Sequence, residues 1–219
     1  MGNTIQYFDM NIRKVFVTLG DLFYYKILEK ELLGMDTVLD VGCGADSPLA
    51  QVKKTFYSVG VDIFEPSIKK SKKKKIHDDY KIGDILNLSK FVKKKSFDGV
   101  VALDIIEHLE KKDGYTLLKQ MELIAKKRVI VLTPYGFTQQ HPYDENPYQI
   151  HKSGWYDEDF KKLGYTVYGM RGFRFIRGEC ATIKYKPWFF WGILAVLSQF
   201  VVYKYPSAGY QLLAVKNIR

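Results

Sequence analysis

Cysteine is scarce in this chain, with Cys43 and Cys180 as the two cysteines in 219 residues. Neither stands at a spacing that binds a metal, so the sequence assigns no metal ligands. A disulfide-stabilised secreted domain is not expected either, because such domains are dense in cysteine. No secretory signal precedes the first predicted helix. We therefore expect a cytoplasmic protein with free thiols.

Long uncharged runs are also scarce. The run 187–203 has 17 uncharged residues, which as a helix would measure roughly 25 Å against an apolar bilayer core of about 30 Å. We therefore do not expect it to span a membrane. It is too apolar for water, which leaves burial in its own domain, in a homodimer interface or at an anionic membrane surface. The neighbouring Lys184, Lys186 and Lys204 favour a peripheral membrane contact.

Acidic residues are fewer than basic ones, which gives a formal net charge of +10. Such an excess suggests an anionic partner. However, each lysine-rich cluster directly precedes a predicted strand: Lys53-Lys54, Lys72–Lys75, Lys93–Lys95 and Lys126–Arg128. In a parallel sheet these clusters lie at the amino-terminal edge, opposite the edge where ligands bind. Nucleic acid is therefore not expected as a partner.

The most informative stretch is a buried strand that ends in a Gly-x-Gly turn, Val38–Asp46. Glycine permits positive φ and lets a ligand approach the backbone closely. The third glycine of the dinucleotide fingerprint is absent, since Ser47 stands in its place, and this disfavours NAD or FAD. Asp62 ends the next apolar run, twenty residues beyond Gly42. A carboxylate at this position can accept hydrogen bonds from both ribose hydroxyls.

Apolar strand patterns alternate with helical patterns along the chain, which predicts an α/β protein with a doubly wound, mostly parallel sheet. Helices are expected over 10–33, with Asp21 as an N-cap, and from Ser47-Pro48, Pro66, 113 and Asp157. Strands are expected over 38–41, 57–62, 78–82, 97–104, 128–133, 165–171 and 208–215.

Several of these motifs together resemble the small-molecule-type class I S-adenosylmethionine (SAM) methyltransferases, known as methyltransferase type 11. The residues that carry the resemblance are Val38–Gly44, Asp62, Gly83–Ile85, Leu103–Leu109 and Thr133-Pro134. It implies a seven-stranded Rossmann-like fold whose last strand is antiparallel, with an apolar helical insert before that strand. It also implies SAM as cofactor and in-line methyl transfer to a small-molecule or lipid-like acceptor.

The same resemblance implies a set of cofactor-binding residues. They are Asp40, Gly42, Cys43, Gly44, Asp62, Ile63, Asp84, Ile85, Leu103 and Asp104. The glycine turn would pass the methionine part, Asp62 would hold the ribose, and Asp84 would accept from the adenine amine. The two isoleucines would enclose the adenine, and the last two residues would lie near the sulfonium.

Three histidines are candidate general bases for deprotonating the acceptor, namely His108, His141 and His151. The last two belong to a segment rich in aromatic and polar residues that leaves the fifth strand at the ligand-binding edge. Loops of this length are usually functional or disordered. We therefore expect this loop to fold over the active site.

The expected domain organisation is a single methyltransferase domain over 1–219. Residues 1–36 form a helical cap that covers the sheet or closes over the cofactor, 134–156 form the active-site loop, and 174–207 form the apolar insert. Two other functions remain open, namely an RNA or protein methyltransferase and a non-catalytic SAM-binding interaction protein. An NAD-dependent dehydrogenase is a further alternative, which the missing third glycine disfavours.

Overall fold

A computed structural model of the protein describes residues 19–140, 146–178 and 181–219. Its centre is a seven-stranded sheet with the strand order β3-β2-β1-β4-β5-β7-β6. The strands are β1 Thr37–Val41, β2 Tyr57–Asp62, β3 Asp79–Ile82, β4 Phe97–Leu103, β5 Ala125–Pro134, β6 Thr166–Phe173 and β7 Gly209–Asn217. Strands β1 to β5 are parallel, and β7 runs antiparallel to both of its neighbours. The predicted fold class is confirmed.

Six α-helices belong to the described part of the chain. They are α1 (19–32), α2 Glu65–Lys74, α3 Lys111–Ile124, α4 Asp157–Lys161, α5 Trp188–Leu197 and α6 Gln199–Lys204. Successive strand residues face opposite sides of a sheet, so the chain has two cores. On one side α1 packs Tyr24 and Leu28 against Val101 and Leu132. On the other side α3 packs its buried residues against the alternate positions of the same strands.

Three local predictions need correction. Residue 19 is already helical, so Asp21 lies inside α1 rather than at its N-cap, while 10–18 fall outside the described residues. The helix expected at Ser47-Pro48 is a short 3-10 turn, Pro48–Gln51. Strand β5 begins three residues earlier than expected. Its first lysines lie beside Asp98, at the amino-terminal edge where the sequence placed them, with Lys127 Nζ 3.0 Å from the carboxylate.

The apolar insert forms α5 and α6, which cover the edge strand β6 with an unusual orientation. Their polar and small side chains face the sheet, and Ser198 and Gln199 are only 3% and 4% exposed. Gln199 Nε2 donates to the Gly169 carbonyl (2.9 Å), and the Phe173 N–H donates to Ser198 Oγ (2.9 Å). The large apolar side chains face outward, among them Phe189, Phe190, Ile193, Leu197 and Phe200.

Within residues 19–140, 146–178 and 181–219, no helix combines the length and the hydropathy that a membrane crossing requires.

Candidate cofactor site and acceptor cavity

The turn after β1 has the backbone shape that its glycines predict. Gly42 and Gly44 have φ values of 72° and 57°, and the N–H groups of Gly42 and Cys43 both donate to the Val61 carbonyl (2.8 and 3.0 Å). A Cβ on Gly42 would collide with the Ile105 side chain, whereas one on Gly44 would meet nothing within 4 Å. The backbone at Gly44 is therefore open to a ligand.

Asp62 connects this turn to the end of β2. Its carboxylate accepts hydrogen bonds from the Gly44 N–H (2.9 Å) and the Phe64 N–H (2.8 Å). Burial raises the pKa of Asp62, and the two backbone donors oppose that rise. The carboxylate thus stands beside the open glycine, where the sequence analysis expects the ribose.

Two of the predicted cofactor residues are turned into the protein. Asp40 Oδ2 accepts from Ser47 Oγ (2.5 Å) and lies 2.9 Å from His77 Nε2, with the paired side chains buried. Cys43 is also buried, and burial raises the pKa of its thiol. These contacts indicate that Asp40 stabilises the glycine turn after β1. A direct contact between either side chain and the cofactor stays a prediction.

Asp84 begins the turn that follows β3. Its carboxylate accepts from the Leu86 N–H (2.9 Å) and from Asn87 Nδ2 (2.8 Å). Ile85 packs partly against the core, while Ile63 is exposed at the end of the neighbouring strand. These residues lie at the carboxyl edge next to Asp62, and their adenine-binding roles stay predictions.

Asp104 follows Leu103 at the end of β4, in a backbone conformation of φ 55°. Its Oδ1 accepts a hydrogen bond from Gln211 Nε2 on β7 (2.6 Å). Burial raises the pKa of Asp104, and the nearby Arg171 guanidinium opposes this rise. Arg171 Nε in turn lies 3.0 Å from Asp21 Oδ1 on α1. A mixed acid–base cluster therefore joins α1, β4, β6 and β7 beside the predicted sulfonium position.

A cavity of about 950 Å³ opens next to Asp104, at the carboxyl ends of β4, β5 and β6 and the amino end of β7. Four basic residues line it, namely Arg171, Arg174, Arg177 and Lys184. The Arg174 guanidinium lies over the Tyr135 ring, 4.5 Å from the centroid. Asp104 and Glu107 supply the acidic part of the lining. The basic groups outnumber the acidic ones, so the cavity attracts anions.

Glu107, His108 and His151 meet on one wall of this cavity. The imidazole rings of His108 and His151 are 4.8 Å apart between centroids. Burial and the neighbouring His151 lower the pKa of His108 to about 4, and burial lowers that of His151. Both rings are therefore neutral at physiological pH. Burial and the charge of Asp104 raise the pKa of Glu107.

The sequence analysis named two of these three residues and missed the third. His108 and His151 were candidate bases, and the structure brings them together, whereas His141 lies outside the described residues. Glu107 was not assigned a role, although the Glu-His pair directly after β4 was a usable signal. The sequence analysis also assigned no role to the arginines of the cavity, although they recur every third residue at 171, 174 and 177.

The fold and the site together indicate a class of protein. A seven-stranded sheet with an antiparallel seventh strand carries a glycine turn open to a ligand, and an acid stands at the end of β2. A large cavity lies beside the end of β4, across the strand-order reversal between β1 and β4. These features are those of an enzyme that binds a nucleoside cofactor beside a second ligand.

Comparison with known proteins gives a family match over part of the chain. Residues 39–133 match the family model described as a methyltransferase domain. This match is consistent with the class I SAM-dependent methyltransferase family that the sequence motifs resemble. The protein is an enzyme, and its cofactor is SAM. No curated protein matches the chain in sequence.

Solved structures share the fold at low sequence identity. A SAM-dependent methyltransferase from Archaeoglobus fulgidus is 18% identical over 88% of this chain and 94% of its own, with a TM-score of 0.53. Magnesium protoporphyrin IX methyltransferase from Synechocystis with bound SAM is 16% identical over 96% and 79%, with a TM-score of 0.50. The small RNA methyltransferase HEN1 is 18% identical over 91% and 25%, with a TM-score of 0.56. Two of these proteins are named for different acceptors, a porphyrin and a small RNA. The shared fold therefore does not select an acceptor for this chain.

Proposed function

We propose that this enzyme methylates a small anionic acceptor with an apolar portion. The observation that carries the proposal is the basic cavity beside Asp104, whose volume suits a small molecule. One of the lysine-rich clusters that the sequence analysis identified does not extend this surface, since Lys126 and Lys127 contact Asp98 at the opposite edge. A single basic cavity of this kind favours a compact anion over a long polyanion such as RNA.

The apolar portion of the acceptor is suggested by what adjoins the cavity. Arg171 lines both the basic cavity and a smaller apolar one of about 240 Å³ between α1, α5 and α6. Phe23 and Phe200 line the smaller cavity, close to the outward apolar face of α5 and α6. An acceptor with a charged head and an apolar tail would use both cavities.

SAM, when bound, supplies a methyl group on a positively charged sulfonium. The residues of this chain then have two tasks. Asp62 and the open backbone of Gly44 hold the nucleoside and methionine parts of the cofactor, and Arg174 orients the anionic acceptor. Alignment of the acceptor for in-line attack accounts for a large part of the rate in such reactions.

The first prediction concerns the basic lining. Arg174→Gln should reduce methyl transfer to the acceptor about tenfold or more, because a charge-assisted contact contributes about 1.5–3 kcal/mol. The affinity for S-adenosylhomocysteine should stay unchanged. Lys73→Gln, an exposed change on α2 at the far edge, is the matched control. The measurement is transfer of a radiolabelled methyl group from SAM into cell extract.

The extract is separated into small anionic molecules, small neutral molecules, RNA and protein. Label in the small anionic fraction, reduced by Arg174→Gln and not by the control, supports the proposal. Label confined to RNA or protein would contradict it and favour the corresponding macromolecular methyltransferase.

We also propose that the outward face of α5 and α6 binds an anionic membrane surface, where an apolar acceptor would be found. Lys186 and Lys204 are exposed beside this face, and Lys186 Nζ lies 4.7 Å above the Trp188 ring. Aromatic side chains bordered by lysines are typical of segments that lie in an anionic interface.

The second prediction tests this surface. The triple change Phe190→Ser, Leu197→Ser and Phe200→Ser should release the protein from phosphatidylserine-containing liposomes in a sedimentation assay. A matched control replaces three apolar residues that are equally exposed elsewhere, Leu33, Tyr57 and Leu123. Wild-type protein that ignores the liposomes, or a control that dissociates as strongly, would count against membrane binding. A dimer that the first triple variant makes monomeric would instead identify a subunit interface.

A further inference from the structure

The wall of the basic cavity assembles three metal-binding side chain types from separate parts of the chain. One potential ligand atom each from Glu107, His108 and His151 lies within 4.8 Å of the other two. The first two residues follow β4, and the third comes from the long loop after β5. The loop is held there because the N–H groups of Lys152 and Ser153 both donate to the Glu107 carbonyl (2.8 and 3.1 Å).

In each histidine, one ring nitrogen is available as a metal ligand. His151 Nδ1 lies 2.6 Å from the Thr138 carbonyl, to which it donates, so Nε2 carries the lone pair. In the His108 ring, Nδ1 is buried without a partner in the described part of the chain. Each histidine thus has a ring nitrogen available as a ligand, Nε2 in His151 and Nδ1 in His108.

Glu107 is held in the same way. Its Oε2 accepts a hydrogen bond from Thr133 Oγ1 on β5 (2.9 Å), and the side chain is buried. Metal ligands in proteins are usually positioned by hydrogen bonds from their outer atoms to carbonyls, hydroxyls or carboxylates. Glu107 and His151 each have such an outer partner. A buried nitrogen without a partner, as in His108, is costly unless a ligand fills the space in front of it.

We propose that Glu107, His108 and His151 bind a divalent first-row transition-metal ion. Two imidazole nitrogens and one carboxylate oxygen suit Mn²⁺, Fe²⁺, Co²⁺ or Zn²⁺, whereas Mg²⁺ and Ca²⁺ prefer oxygen ligands throughout. Three protein ligands leave coordination positions open. Because these residues line the acceptor cavity, the open positions are available to an oxygen atom of the acceptor, which the ion would polarise.

The role of the ion toward the acceptor rests on the proposed function, but the binding of the ion does not. The rival explanation is that the two histidines act directly as general bases, as the sequence analysis expected, and that no ion binds. The two explanations differ in a property that can be measured without any acceptor. This property is the affinity of the protein for the metal alone.

The test uses full-length protein without a histidine tag, stripped with a chelator and titrated with Co²⁺. Isothermal calorimetry and visible absorption should show one ion per chain, with the d–d bands of a nitrogen- and oxygen-ligated site. Glu107→Gln and His151→Ala should each lower the affinity at least tenfold. Tyr148→Ala, an exposed change in the same loop, is the matched control and should bind as wild type does.

S-adenosylhomocysteine affinity and the thermal melting curve verify that each variant is folded. Wild-type protein that binds no Co²⁺ at millimolar concentration overturns the proposal, as do variants that bind as tightly as wild type. The wild-type stoichiometry needs no variant, so a variant that fails to fold leaves the test intact. Methylation of a neutral acceptor would contradict the proposed function and leave the metal measurement unaffected.

Discussion

Asp62→Ala should lower the affinity for S-adenosylhomocysteine by about 5- to 150-fold, the equivalent of about 1–3 kcal/mol. Two losses contribute to this effect. The predicted hydrogen bonds from the ribose hydroxyls would lose their acceptor, and the Gly44 and Phe64 N–H groups would lose the carboxylate that they share. The turn would then be held less firmly in the conformation that the cofactor requires.

Calorimetry with S-adenosylhomocysteine measures this effect directly. Asp79→Ala is a matched control, since that carboxylate is exposed at the start of β3 and accepts from the adjacent Tyr80 N–H. Asp62→Asn should also weaken binding, because its single amide oxygen can accept from only one of the two backbone N–H groups and the charge is removed. Unchanged affinity in a folded Asp62→Ala protein would remove this residue from the cofactor site.

Arg171→Met should lower the free energy of unfolding by about 3 kcal/mol, the low end of the range for breaking a buried ion pair. The low end applies because the Arg171 and Asp21 side chains are each 18% exposed. Without the guanidinium, Asp21 and Asp104 would lose the one cation that acts on both carboxylates, and Arg177 would still act on Asp21. Burial already raises the pKa of both carboxyl groups, and Arg171 opposes that rise in each case.

Urea unfolding of the single and double variants tests this account. Adding Asp21→Asn to Arg171→Met should recover part of the lost stability, because it removes one of the two carboxylates that lost this cation. Glu65→Gln, which breaks the exposed i,i+4 pair with Lys69, should cost well under 1 kcal/mol and serves as the control. A double variant less stable than Arg171→Met alone would show that Asp21 acts through something other than its charge.

Much of the fold was predictable because it depends on local patterns. Apolar runs, glycine turns and strand-ending acids occur at fixed spacings, and they placed the parallel strands to within a few residues. The errors arose where contacts between residues that are distant in the sequence determine the local structure. Ser47 begins only a short turn, with its hydroxyl hydrogen-bonded to Asp40. Asp21 lies inside a helix, where it pairs with Arg171 on β6.

The candidate site was predictable on the cofactor side and less so on the acceptor side. The cofactor residues follow their strands directly, so the sheet alone brings them to one edge. His151 reaches His108 only because two backbone N–H groups of the loop dock on the Glu107 carbonyl. A loop conformation of this kind has no periodic sequence signal. The orientation of the apolar insert was hidden for a similar reason, since both faces of its helices are uncharged.

The unusual orientation of α5 and α6 also has a consequence for how copies of the protein meet. An edge strand with free N–H and C=O groups is a template for strand addition by another chain. Here Gln199 and Ser198 bond to the backbone of β6 at Gly169, Gly172 and Phe173. These two side chains thus form hydrogen bonds with backbone groups of β6, as an eighth strand would. The apolar surface is displaced outward, where it can bind a partner without prolonging the sheet.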